Sequence, residues 1–319
     1  MNLLKKFLFY VFLIHQGSAV ATPFVPADQK LESEHPYSIL LNRSGNDAIE
    51  CSGTVVSPDG YILTALHCFA TCLNPRSTNI EIELPSKRKQ SFEQMEFDQS
   101  GSCAIVVPNT FGISIVPISI VAVGTTRMMD NNELMRIGIF NIEDAYYLKE
   151  IGYTAPAGKG DFAIIKIPVN KNKLKCAKIA NGPPKPGEYV WNLSFPTFER
   201  DGIQSIKGKA YYTNGYITTG VLDSVRIKAL HDNDPMRNFY PKYFNENEMF
   251  YGTLDGEGGS SGSGIFNEKN EIIGVYVSSL KPRNVYAEGT TRGISTYSIV
   301  KELESKLGKE KVNQIFNCP

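Results

Sequence analysis

Apolar residues in this chain come in short runs separated by Gly, Pro, Asn and Asp. From Tyr37 the first are Tyr37–Leu41, Cys51–Val56 and Tyr61–Leu66, and Ser57-Pro58-Asp59-Gly60 between the last two is a turn sequence. Further runs lie at Ala104–Val107, Ile113–Val116, Ile118–Val123 and Phe162–Ile167. Others follow at Glu188–Leu193, Gly208–Tyr212, Val225–Leu230, Ile272–Val277 and Gly293–Tyr297. Runs of this length and spacing predict an all-β sandwich or barrel architecture rather than βαβ units. Only Ile299–Leu307 has helical spacing, with Ile299, Leu303 and Leu307 on one stripe and Glu302, Glu304, Lys306 and Lys309 facing away. Asn74–Ser102 is polar, Met128–Glu150 is irregular, and Asn181-Gly-Pro-Pro-Lys-Pro-Gly187 is the best domain boundary.

Composition narrows the function classes. The chain has 319 residues, 42% hydrophobic and 21% charged, with 33 basic against 33 acidic side chains. That balance argues against a nucleic-acid partner or a polybasic membrane contact. Residues 1–21 have the form of a signal peptide: Lys5 and Lys6, an apolar Phe7–Ile14, then Ala19-Val20-Ala21. The apolar run is too short to span a bilayer, so a secreted or periplasmic protein without stable membrane association is expected. Export makes Cys51, Cys68, Cys72, Cys103, Cys176 and Cys318 candidates for disulfides, although six cysteines allow fifteen pairings and spacing selects none. There is no C-x-x-C spacing, and His35, His67 and His231 are the histidines beyond the signal. Neither a metal site nor a cofactor is expected.

The candidate chemistry centres on Gly256–Phe266, where glycines at 258, 259, 262 and 264 allow sharp turns and close approach to main-chain N–H groups. Two such donors aimed at one point stabilise an oxyanion. A serine beside them needs a base. His67, in Thr64-Ala65-Leu66-His67-Cys68, directly follows an apolar run. Asp161, in Gly160-Asp161-Phe162-Ala163-Ile164-Ile165, heads another. Taken singly, the histidine reads as a packed or surface residue and the aspartate as a solvated turn. Together they supply a base and a carboxylate to orient it.

These three segments, with Gly259-Ser260-Ser261-Gly262-Ser263-Gly264 as the third, resemble the signatures of the trypsin-like (chymotrypsin-fold) serine peptidases, in that family's order. The resemblance implies two antiparallel six-stranded β-barrels with the site in the cleft between them, plus a C-terminal helix. It implies His67 as general base and acid, Asp161 as its orienter, Ser261 as nucleophile, and the N–H groups of Gly259 and Ser261 as the oxyanion hole. It also implies a Cys51–Cys68 bridge, leaving the pairing of Cys72, Cys103, Cys176 and Cys318 open; Cys72–Cys103 with Cys176–Cys318 is one arrangement. The organisation expected is a signal at 1–21, an N-terminal arm at 22–36, a first barrel at 37–175, a second at 186–297, and a helix and tail at 298–319. His67 and Asp161 stand about twice as far apart as is usual in the family, so an insertion is expected within 74–155. Ser260 replaces the aspartate that pairs with a cut N-terminus in zymogen-activated relatives, so no such pair is expected. The likeness is closer to bacterial secreted and periplasmic branches.

Polypeptides are the implied substrates and a monomer the expected state. Asp255 matches the base of the primary pocket in members cleaving after Lys or Arg, although Asp255-Gly256 also reads as a turn. Val277, Ser278 and Ser279 are expected to form the wall that pairs with an extended substrate. Tyr276 stands where glutamate-specific members place a histidine, which argues against acidic substrates. His231-Asp-Asn-Asp234 is half a calcium loop without its glutamate. Gly258–Gly262 also fits the G-x-S-x-G elbow of α/β-hydrolases, but no histidine follows His231 and helices are few. The remaining alternative is a secreted binding protein that keeps the fold without catalysis.

Overall fold

A computed structural model describes residues 25–43, 50–69, 74–98, 103–109, 112–124, 144, 160–169, 173–197, 199–200, 203–204, 208–217, 249–280 and 290–319. The signal segment, Cys72, the run at 225–230, His231 and nearly all of 128–150 lie outside them.

The N-terminal arm is docked on the second barrel. Its first strand, β1 (Val25–Pro26), pairs with Tyr211 and Tyr212 of the second barrel, and Ala27 N donates to Ala210 O at 2.9 Å. Helix α1 (Gln29–Glu34) follows, capped by the Asp28 carboxylate, which accepts from Leu31 N at 2.7 Å. Lys209 Nζ reaches Glu32 at 2.6 Å.

The first barrel begins with β2 (Ser38–Arg43), β3 (Glu50–Val55) and β4 (Tyr61–Thr64). The polar stretch after it is a long hairpin, β5 (Asn74–Glu83) with β6 (Lys89–Asp98), which forms its own two-stranded sheet. The Asp144 carboxylate holds the hairpin turn through Ser86 N at 3.1 Å and Ser86 Oγ at 2.7 Å. Then come β7 (Cys103–Asn109), β8 (Gly112–Val123) and β9 (Ala163–Lys166). Six strands close in the order β2-β3-β4-β9-β8-β7, sealed by the pairing of Asn42 with Val106. Ile62, Leu63, Ile105, Ile164 and Ile165 fill the interior without measurable exposure. The turn at Ser57–Gly60 forms as the sequence predicts, with Gly60 at φ +86°.

The second barrel contains β10 (Tyr189–Ser194), a small pair β11 (Glu199–Arg200) and β12 (Ile203–Gln204), β13 (Tyr211–Tyr216) and β14 (Met249–Gly252). It is completed by β15 (Gly264–Asn267), β16 (Ile272–Leu280) and β17 (Thr290–Ser295). The sheet runs β1-β13-β10-β15-β16-β17-β14, and a bridge between Ile217 and Gly252 brings β14 round to the end of β13. Six of these strands make the barrel; β1 is an addition at its edge. Trp191 stacks on Phe266 at 4.4 Å between ring centres, with His35 at 4.6 Å from Trp191 and Tyr37 at 5.4 Å from Phe266. This cluster ties the arm and the entry to β2 onto the second barrel.

The C-terminus holds two helices where the pattern predicts one and a tail. Helix α2 (Thr296–Leu307) buries Ile299 and Leu303, Gly308 turns the chain at φ +80°, and α3 (Lys309–Ile315) buries Val312 and Ile315. They return to the first barrel, where Ser57 Oγ bonds Asn317 at 2.6 Å and Lys311 Nζ bonds the Tyr61 hydroxyl at 3.2 Å. Cys176 and Cys318 form a disulfide across 142 residues. No helix among the described residues is long and apolar enough to cross a membrane.

Candidate active site

Strand β4 is buried throughout and delivers the chain through extended Ala65 into one 3-10 turn, Leu66–Cys68. Leu66, fully buried, anchors that turn, and the Cys51–Cys68 disulfide fastens it to β3 across a separation of 17 residues. In the chain-entropy view a bridge closing such a loop contributes about 3 kcal/mol. Because β4 and β9 pair antiparallel, Thr64 opposite Ala163, the residues just past the end of one lie beside those just before the other. Asp161 therefore meets His67 across 94 residues of chain. Its Oδ2 lies 2.7 Å from His67 Nδ1, and its Oδ1 accepts from the His67 backbone N–H at 2.8 Å. A carboxylate only accepts, so Nδ1 carries the proton and Nε2 presents a lone pair. The aspartate side chain is 4% exposed and the histidine 21%, so the imidazole alone reaches the cleft. Burial pulls the His67 pKa down, but the charge of Asp161 and its hydrogen bond outweigh that and raise it above 6.5.

Ser261, on the serine loop of the second barrel, lies against the elements that carry this pair. Its carbonyl accepts from Ser52 N at 2.8 Å and lies 3.8 Å from Cys68 Sγ, the residue after His67. Gly262 sits at φ +87°, and a Cβ there would collide with Thr64 Oγ1 and the Ser52 carbonyl. Only glycine lets the serine loop lie this close to the strand end that leads into His67. The carbonyls from Gly258 to Ser261 are all held. Gly258 O accepts from Thr197 N at 2.6 Å, Gly259 O from Ser52 Oγ at 2.8 Å, and Ser260 O from Ser263 N at 3.1 Å and Ser263 Oγ at 2.7 Å. In a planar trans peptide the N–H points opposite its carbonyl, so the N–H groups of Gly259 and Ser261 are aimed by these bonds. Among the described residues neither has an acceptor, whereas those of Ser260, Gly262 and Ser263 are engaged.

The family model described as "Trypsin-like peptidase domain" matches residues 51–275, more than half of the chain. The chain belongs to the trypsin-like peptidases. Among curated proteins none matches it. Among solved structures, a serine endoprotease from Yersinia pestis shares 15% identity at a TM-score of 0.43, covering 90% of this peptidase and 69% of that chain. The MamO protease domain of Magnetospirillum magneticum shares 13% at 0.44, covering 84% and 96%. Neuropsin, a serine protease of mouse brain, shares 13% at 0.48, covering 86% and 95%. Likenesses this loose add no weight to the barrels and signatures described above.

Elsewhere in the peptidase's site, Ser260 is fully buried with its Oγ 3.1 Å from Ser194 Oγ, while Ser261 is partly exposed. The arrangement is the reverse of what an elbow serine at 260 needs. Asp255 is 9% exposed; its Oδ1 accepts from Gly256 N at 2.9 Å, and its own N–H bonds Thr213 Oγ1 at 3.2 Å. The buried Tyr276 ring lies against Gly256, where a Cβ would collide with its hydroxyl. Thr291 Oγ1 donates to Leu254 O at 2.6 Å, setting buried Arg292 on the segment beside Asp255. On the expected wall, Val277 is buried and marks an irregularity in register between Tyr276 and Ser278; Ser278 is partly exposed and Ser279 pairs with Thr291. Cys51, His67 and Cys68 cluster within 4.8 Å, but both sulfurs are spent on the disulfide, so they cannot ligate a metal as thiolates. Sequence alone gives Ser52, Thr54 and Ser194 no role at the site. The available signal was Cys51-Ser-Gly-Thr54, two hydroxyls at alternate positions of a buried strand, where polar groups need assigned partners.

Proposed function

We propose that the protein is a secreted serine endopeptidase that hydrolyses peptide bonds through an acyl-enzyme on Ser261. The observation that carries this reading is the two-point grip of Asp161 on His67, on a turn whose Cys68 is bridged to Cys51, next to the Ser52 N–H that donates to the Ser261 carbonyl. Ser261 Oγ attacks the substrate carbonyl carbon as its proton passes to His67 Nε2, and the oxyanion that forms is held by the N–H groups of Gly259 and Ser261. His67 returns the proton to the departing amine as the C–N bond breaks, leaving the ester on Ser261. Water repeats the sequence in reverse and frees the acid. Asp161 keeps the tautomer and stabilises the imidazolium. Export is supported by the form of residues 1–21 and by the Cys51–Cys68 and Cys176–Cys318 bridges.

The finer part of the reading is a preference for Lys or Arg at the residue preceding the cut, supported by the buried carboxylate of Asp255 in the loop leading to Ser261. The test is a fluorophosphonate probe followed by a peptide library. Labelling of the wild-type chain, lost in Ser261→Ala and in His67→Ala, is the expected result. A folded chain that takes no label is instead the inactive binding protein. In the library, Asp255→Ser should selectively depress cleavage after Lys and Arg; an unchanged profile makes Asp255 a turn residue only.

A further inference from the structure

Ser52 is fully buried on β3 with every polar atom engaged, its N–H and its hydroxyl at the serine loop. Its N–H donates to the carbonyl of Ser261 at 2.8 Å, and its own carbonyl accepts from Thr64 Oγ1 at 2.8 Å. Its hydroxyl donates to the carbonyl of Gly259 at 2.8 Å and accepts from Phe195 N at 2.9 Å. The Gly259–Ser260 peptide is the unit that joins the two N–H groups assigned to the oxyanion. Gly259, at φ +88°, has no side chain to resist rotation of that unit.

Resting on the peptidase reading, we infer that Ser52 is a positioning residue of the oxyanion pocket: its hydroxyl locks the Gly259–Ser260 peptide so that the flanking N–H groups converge. Without the hydroxyl a buried carbonyl and the Phe195 N–H lose their partner, and a turn of the peptide toward another donor relieves that cost. The donors then diverge, and misplacement of a catalytic group by even about 1 Å is costly to rate. The contact belongs to the rate and not to substrate capture, because Ser52 lies beneath the loop. It also leaves the His67–Asp161 pair untouched.

Isosteric replacements separate the hydroxyl from bulk. Ser52→Thr keeps the donor and Ser52→Val does not, so the extra methyl cancels between them. The readouts are the rate constant for fluorophosphonate labelling at Ser261, kcat and KM on a cleaved peptide, and the pH midpoint. Ser52→Val should label and turn over about tenfold or more slower than Ser52→Thr, with KM within about threefold and an unchanged midpoint. Equal rates in the two variants, or a shift of the midpoint in Ser52→Val, would overturn the assignment. If neither β-branched variant folds, Ser52→Ala against wild type decides on the same thresholds. Wild-type labelling is the separate control: its absence defeats the peptidase reading itself, whereas labelled wild type with equal variants defeats only the role of Ser52.

Discussion

On the proposed mechanism a neutral imidazole is the competent base, so the balance of forces on His67 sets the acid limb of activity. Burial disfavours its charge, and Asp161, bonded at 2.7 Å, favours it more strongly, so the pKa lies above 6.5. kcat/KM should therefore rise with pH through a midpoint above that value. Asp161→Asn removes the attraction but leaves the burial, so the midpoint should drop below the wild-type one. kcat should fall by about 10³- to 10⁴-fold because the tautomer is no longer fixed. A pH–rate series on both proteins checks this; a midpoint that rises or stays would show that Asp161 does not govern the ring. His67, Asp161 and Ser261 were legible in the sequence as candidates only together, through three segments standing in one family's order; singly, the histidine reads as a packed or surface residue and the aspartate as a turn residue. Ser52 was not legible. A serine inside a strand reads as an ordinary polar position, and its partner Gly259 is 207 residues away.

Most barrel strands could be read from short apolar runs, but β14, β15 and the β11–β12 pair lie outside those runs, and so do β1, the β5–β6 hairpin and α3. Strand β1 is two residues held by backbone bonds and carries no pattern. The hairpin β5–β6 does alternate at Ile80-Glu81-Ile82-Glu83-Leu84, with Glu81 and Glu83 exposed and Leu84 buried, but its charge disguises it as loop. Helix α3 shows only Val312 and Ile315 on its buried side, too short a stretch for periodicity to register. What holds that helix is covalent as much as apolar. The Cys176–Cys318 bridge spans 142 residues, and closing a loop of that size restricts the unfolded chain by about 5 kcal/mol in the entropy model. The Cys176→Ser/Cys318→Ser pair should lose about 3–5 kcal/mol in urea unfolding and about 10 °C in Tm. Labelling at Ser261 well below that Tm should be unchanged, since the bridge lies on the helical side and not among the contacts of the serine loop. A Tm within about 2 °C of wild type would mean the helix docks without it.

At the scale of the molecule, two histidines oppose each other in how stability responds to pH. His35 joins the arm to both barrels, packed on Trp191 with Nδ1 2.6 Å from the Tyr37 hydroxyl. Burial lowers its pKa below 6.5, only partly countered by the nearby charge of Glu34. Unfolded chains bind the His35 proton more readily than folded ones, so stability should climb with pH up to about 6.5 and then level off. For His67 the sign is reversed. The folded chain binds the proton more tightly, so its contribution is complete below 6.5 and is lost as pH rises through the higher folded value. The two histidines together contribute a maximum near 6.5, made by one residue that fastens the barrels and another that serves the cleft between them. Urea unfolding across about pH 5 to 8 should show that maximum. His35→Phe, which keeps the aromatic packing, should remove the climb on the acid side and leave the fall above. His67→Ala should do the opposite. If His35→Phe leaves the acid limb as steep as wild type, carboxylates and not the arm set it, and the coupling of the arm to the body of the enzyme does not depend on the charge of that ring.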